Sequence, residues 1–177
     1  MWLTIPVRQN KLSQTIDETT ICNQFWRRKH LNAILQNYSK AKYLKEYFTS
    51  FEKFYLENKD EFLSDINYKL ILLINEILGI KTKISKDKDY QIKGDKVDKL
   101  INLCKQTDSN IYLSGPSGKN YIDEKLFSKE NINVIWMDYC NYPEYTQLYP
   151  PFIHDVSVID LIFNEGPDAV KYMRSFS

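Results

Sequence analysis

Glycine is scarce in this chain, five residues among 177, and so are proline at six, cysteine at three and histidine at two. Each shortage closes off a class of protein. Cys22, Cys104 and Cys140 are far apart and form no C-x-x-C pair, so they supply neither a disulfide framework nor a zinc site. A reducing cytoplasm suits such a chain. Lysine and arginine number 24 against 23 aspartates and glutamates, which leaves no clustered positive excess for a nucleic-acid backbone. No uncharged apolar run is long enough to span a bilayer, and the first residues lack the charged-then-apolar layout of a secretion signal, so no membrane insertion is expected. There is no H-E-x-x-H, no Ser-His-Asp order and no pair of metal ligands. Neither a metal nor another cofactor is expected.

What the chain has is apolar and aromatic: 43% and 14% of its residues, ample for one domain with a sizeable core spanning residues 1–177. Trp2-Leu-Thr-Ile-Pro-Val7 reads as a brief strand. Asn23 is a plausible cap for a helix whose apolar face is Phe25, Trp26, Leu31, Ile34, Leu35 and Tyr38. A second helix follows from Tyr43 to Tyr55, and a third runs from Ile66 to Leu78, with Gly79 where a left-handed C-terminal residue belongs. Beyond Gly79 the pattern changes to alternation: Thr82 to Ser85 as strand, Lys96 to Lys105 as helix, Ile111 to Leu113 as strand, Glu124 to Ser128 as helix and Asn133 to Tyr139 as strand. Such alternation favours parallel pairing. Val134-Ile-Trp-Met137, apolar throughout, fits a strand covered on both faces, whereas Thr82 to Ser85 alternates and fits an edge. A helix through Val158 to Phe163, ending near Gly166, and a short one from Pro167 close the chain. The expected fold is therefore α/β: a mostly parallel sheet flanked by helices, with a helical insertion between the first strand and a βαβαβ half.

In that fold the C-terminal strand ends gather Ser85, the Ser114 to Lys119 loop and Asp138-Tyr139 on one rim, where α/β proteins hold ligands. Gly115 and Gly118 would let backbone N–H groups converge on an anion, or would serve only the dihedrals of a turn. A nucleotide-triphosphate loop is excluded, because its first glycine would fall on Leu113 and its magnesium-binding hydroxyl on Asn120. Lys119 is a partner for phosphate or carboxylate, Ser114 a hydrogen-bond donor and Asp138 a proton acceptor; a solvated lysine, a turn serine and a surface acid are the plain alternatives. His30 lies one helical turn from Trp26 and from Ile34, and is either a general base or a packed histidine. His154 is the weaker candidate. Asp160, between Ile159 and Leu161, needs a partner if buried. In Tyr142-Pro-Glu-Tyr-Thr-Gln-Leu-Tyr149, Tyr145 and Gln147 offer a stacking ring and an amide to a sugar or base, or a lid over the core.

Several blocks keep a common order: Trp26-Arg-Arg-Lys-His30-Leu, Asn37-Tyr-Ser-Lys-Ala-Lys-Tyr43, Leu78-Gly-Ile80, Tyr112-Leu-Ser-Gly-Pro-Ser-Gly118 with Tyr121, Pro143-Glu-Tyr-Thr-Gln147, and Ser157-Val-Ile-Asp-Leu-Ile-Phe-Asn164 with Gly166. Together, from Trp2 to about Gly166, they resemble the WbqC-like family of bacterial proteins. Members of that family usually open with a further strand segment ahead of the Trp-Leu-Thr-Ile-Pro-Val block, so the resemblance implies a shortened member or a start assigned downstream. It also implies a role in O-antigen or other surface-polysaccharide biosynthesis, where an aminoacyl, glycine-type transferase acting on a nucleotide-linked amino sugar has been proposed. On that expectation His30 and Asp138 are the catalytic residues, and Ser114, Gly115, Gly118, Lys119, Tyr121, Tyr145 and Gln147 bind the substrate, a sugar nucleotide or activated amino acid. The alternative is a non-catalytic module binding a sugar nucleotide or a partner of the polysaccharide machinery. Oligomeric state is left open.

Overall fold

A computed structural model describes residues 2–173. In chain order the elements are β1 (Val7–Arg8), β2 (Thr20–Ile21), α1 (Phe25–Tyr38), α2 (Leu44–Glu57), α3 (Leu63–Leu78), α4 (Lys96–Gln106), β3 (Ile111–Ser114), α5 (Glu124–Lys129), β4 (Asn133–Trp136) and α6 (Val158–Glu165). Short 3₁₀ turns occupy Asp87–Asp89, Pro116–Asn120 and Gly166–Tyr172. These elements pack as two compact units, one comprising residues up to Lys81 and from Tyr142 onward, the other Thr82–Asn141.

The first unit is helical. Asn23 Oδ1 accepts the Phe25 N–H at 3.0 Å as α1 begins. α2 lies against α1, α3 and α6, which explains why α6 is apolar nearly all round: Ile162 and Phe163 have no exposed surface. The Phe163 ring meets Phe51 edge-on at 5.5 Å, and its carbonyl accepts the Tyr43 N–H at 2.9 Å. Gly79 closes α3 at φ +68°, the left-handed conformation that a Cβ disfavours.

In the second unit Asp95 caps α4, its Oδ1 accepting from the N–H groups of Val97 and Asp98 at 2.8 and 2.9 Å. β3 and β4 pair in parallel, Ile111 opposite Asn133 and Ser114 opposite Trp136, with α5 between them in sequence. Ile101, Cys104, Ile122, Phe127 and Ile132 form the core of this unit.

The structure holds mixed helix and small sheets, and several strand expectations need correction. A mostly parallel sheet is absent among the described residues: β3 and β4 form a two-stranded parallel sheet, and β1 and β2 a separate antiparallel pair. Thr82 to Ser85 is no strand, because Ile84 alone in it is withdrawn from solvent and one apolar residue gives pairing no buried face. The βαβαβ half therefore shrinks to a single βαβ unit. In Trp2 to Val7 only Val7 is paired. Pro6 lacks an N–H, and the Thr4 carbonyl is turned to the His30 ring instead. Val134 to Met137 is not covered on both faces either. Ile135 is 46% exposed on the side it shares with Ile111 and Leu113, while Val134 and Trp136 pack inward.

Candidate functional site

The turn after β3 is closed by its own backbone. Gly118 N–H donates to the Gly115 carbonyl at 3.0 Å, and the Gly118 carbonyl accepts from the N–H groups of Tyr121 and Ile122 at 3.1 and 2.9 Å. The Gly118 N–H expected to meet an anion is thereby spent. Ser114 is buried, its hydroxyl donating to the Gly115 carbonyl. A Cβ on Gly118 would come within 2.5 Å of Ser114 Oγ and 2.7 Å of the Trp136 ring. That glycine serves close packing, the plain alternative. What the turn does present outward is Lys119, whose ammonium is 5.7 Å from the Trp136 ring centroid, and Tyr121, whose ring carries the Lys96 ammonium at 3.5 Å. Asp138 follows β4, and its Oδ1 accepts the Cys140 N–H at 2.9 Å.

In the first unit polar groups converge on Asp160, in the first turn of α6. Its Oδ2 accepts from Tyr145 Oη at 2.7 Å and from Gln147 Nε2 at 3.1 Å. The partner that burial of Asp160 demanded is thus twofold. Burial first, then Asp160, pushes the phenols of Tyr38 and Tyr145 well above the usual tyrosine range, so both stay protonated donors. Gln147 also brackets the Ile153 backbone, donating to its carbonyl and accepting its N–H, each at 2.8 Å. Tyr145 and Gln147 therefore fasten the 142–153 loop to α6.

His30 belongs to a buried aromatic group. Its ring lies 5.0 Å from Trp26 and 5.7 Å from Tyr55, both edge-on. Its Nε2 is 3.1 Å from the Thr4 carbonyl. A carbonyl oxygen only accepts, so Nε2 carries hydrogen, and in the neutral ring the lone pair sits on Nδ1. Burial lowers the imidazole pKa, against a smaller upward pull from the Thr4 hydrogen bond. Burial likewise lifts the Tyr55 phenol to about 12, with the Arg27 charge pulling it down. Arg27 is buried as well, stacked 4.7 Å from the Trp26 ring centroid and donating from Nη2 to the Asp60 carbonyl at 3.1 Å. His154 is exposed, 3.8 Å from Glu144.

Tyr38 and Tyr55 share a cavity of about 650 Å³ with residues of α1, α2 and α3 and with the 155–159 segment. Its size suits a small-molecule ligand. Sequence reasoning singled out neither this cavity nor its polar residues Asn37, Asp155 and Ser157. The available signal was slight: Asn37 and Tyr38 end one helix and Ser157 precedes another.

Of the expected site residues, the structure brings Tyr145 and Gln147 together on Asp160 and Ser114, Gly115 and Gly118 together in one turn. His30 lies in the first compact unit and Asp138 in the second. Among the described residues no group of three or more histidines, cysteines or acids is placed to hold a metal, and no helix is long and apolar enough to cross a membrane.

The WbqC-like protein family matches the chain over residues 1–172. This protein belongs to that family. The Mycobacterium tuberculosis protein Rv1507c, described as uncharacterized, is 38% identical over 174 residues, which is 98% of this chain and 75% of the relative. No solved structure matches. The WbqC-like match takes in both compact units, with the Asp160 network, the cavity and the Lys119 turn all inside it.

Proposed function

We propose that this WbqC-like protein transfers an aminoacyl, glycine-type group to the amine of a nucleotide-linked amino sugar during surface-polysaccharide assembly. The amine nitrogen attacks the activated acyl carbonyl, the new C–N bond replaces the bond to the activating group, and that group leaves with its electron pair. His30 takes the amine proton on Nδ1. The observation that carries this reading is the state of His30: buried, held neutral, and oriented through Nε2 by the Thr4 carbonyl, the condition a general base requires. Asp138 is the other candidate for that proton. In the second unit, taken by itself, Lys119 is a candidate partner for an anion and Tyr121 for a stacked ring, on the turn held by Ser114, Gly115 and Gly118. Tyr145 and Gln147 shape the sugar site through Asp160.

The test supplies an activated glycyl donor and nucleotide-linked amino sugars to the purified chain and follows the glycylated product by mass spectrometry. His30→Gln is expected to lower turnover about 100-fold or more, as loss of a general base does, and the wild-type rate is expected to fall as pH drops below the ordinary histidine range. Unchanged turnover in His30→Gln removes that residue from the mechanism, and a matching loss in Asp138→Asn assigns the role there. A non-catalytic binding module is the second reading, favoured by the hydrogen bonds that already occupy Tyr145 and Gln147. Sugar-nucleotide binding with no product from any donor would select it.

A further inference from the structure

The cavity of the first unit changes character with depth. Ile34, Phe51 and Tyr55 on its wall are buried, and Leu70 and Ile74 half-buried, whereas Asn37, Asp155 and Ser157 are exposed at its mouth. Of the buried side chains on the described wall, Tyr55 alone is polar. Its ring meets Trp26, His30 and Phe54 edge-on, but its hydroxyl makes no hydrogen bond among the described residues. Nor does that oxygen belong to the side-chain atoms sealed in the core without a hydrogen bond, so the surface it keeps faces the cavity. Burial holds the phenol at about 12, which keeps the O–H protonated at neutral pH, and a buried donor calls for an acceptor.

We propose that this cavity binds an uncharged carbonyl compound with an apolar body, the C=O accepting from Tyr55 Oη and the body lying against Ile34, Phe51, Leu70 and Ile74. The charge pattern excludes the ionic alternatives. The Arg27 charge acts on the Tyr55 phenol and opposes an ammonium there. Yet among the described residues no lysine, arginine or histidine lines the wall, so a carboxylate would be desolvated at the deep end without a cation in contact. An alcohol would bring a second O–H to a place where the other buried side chains are Ile34 and Phe51. The inference goes beyond the transfer proposed above and does not rest on it, because a glycine-type group has no apolar body to fill this space.

The experiment titrates the purified chain with benzylacetone, hydrocinnamate and butylbenzene, arylalkyl probes of one shape carrying a ketone, a carboxylate and no oxygen, by calorimetry and amide chemical shifts. Benzylacetone is expected to bind about tenfold or more tighter than hydrocinnamate, with shifts on α1, α2, α3 and the 155–159 segment and with its C=O infrared stretch lowered by the hydrogen bond. Tyr55→Phe removes a hydroxyl that has no bond within the fold. It is expected to weaken benzylacetone about three- to tenfold, to return the C=O stretch to its position in an apolar solvent, and to leave butylbenzene affinity unchanged. Equal binding of ketone and carboxylate, shifts confined to the second unit, no binding of any probe, or a Tyr55→Phe variant that weakens ketone and hydrocarbon alike, or neither, overturns the proposal.

Discussion

His30 ties stability to pH. Its folded-state pKa is lowered by burial, so the unfolded chain, with an imidazole near the ordinary ~6.5, binds the proton more readily. The contribution is complete above about pH 6.5 and is lost as pH falls from there through the folded value. Urea midpoints taken from pH 8 to pH 5 are expected to fall with acidity in the wild type, and His30→Gln, which cannot titrate but can still donate to the Thr4 carbonyl, is expected to flatten the part of that slope below neutrality. An identical slope in both proteins would show that the imidazole stays as easily protonated in the fold as out of it.

Two glycines make a second contrast at this scale. At Gly79 an added Cβ meets nothing within 4 Å, and the cost of substitution is the φ of +68° alone; Gly79→Ala is expected to lose about 1–2 kcal/mol, with Gly79→Asn milder. At Gly118 the backbone is ordinary and the obstacle is Ser114 Oγ and the Trp136 ring. Gly118→Ala is expected to lose about 1–3 kcal/mol by overpacking. Adding Ser114→Ala should recover only part of it, since the Trp136 ring remains. Denaturant unfolding of the four variants separates the two causes.

Among the elements, helices were far more legible than strands. α3 and α4 carry a 3.6-residue apolar rhythm and local end signals in Gly79 and Asp95, so their sequence settles them with little help from elsewhere. A strand has to find a partner. Thr82 to Ser85 has the alternation but no neighbour, Trp2 to Ile5 meets helices instead of a sheet, and Ile135 faces out of a pattern that implied full cover. The need of Asp160 for company was readable from one carboxylate amid Ile159, Leu161 and Ile162. The cavity was not, because its walls come from α1, α2, α3 and the 155–159 segment, and nothing local marks ordinary apolar residues as shared walls. α6 is what joins these distant parts: Phe163 has no exposed surface and meets Phe51 and Tyr38 at 5.5 and 5.3 Å. Phe163→Ala is expected to cost about 3–5 kcal/mol and to loosen the 142–153 loop with it, because Tyr145 and Gln147 are anchored on Asp160 of the same helix. Faster hydrogen exchange at Ile153, whose N–H is held by Gln147, would report that coupling; exchange there unchanged in the folded variant would count against it.

At the scale of the whole molecule the chain leaves its first unit at Thr82 and returns to it at Tyr142, and each unit has a hydrophobic cluster with no member in common with the other. Burial is what makes a segment cooperative, and separate cores permit separate opening. Phe127 has no exposed surface, and Tyr112 stacks on it at 5.3 Å, so Phe127→Ala removes the largest buried ring of the second cluster. The expected outcome is loss of amide protection through α4, α5, β3 and β4, while amides of α1, α2 and α6 keep theirs. Protection falling equally across both units would mean that the two clusters unfold as one, although they share no member.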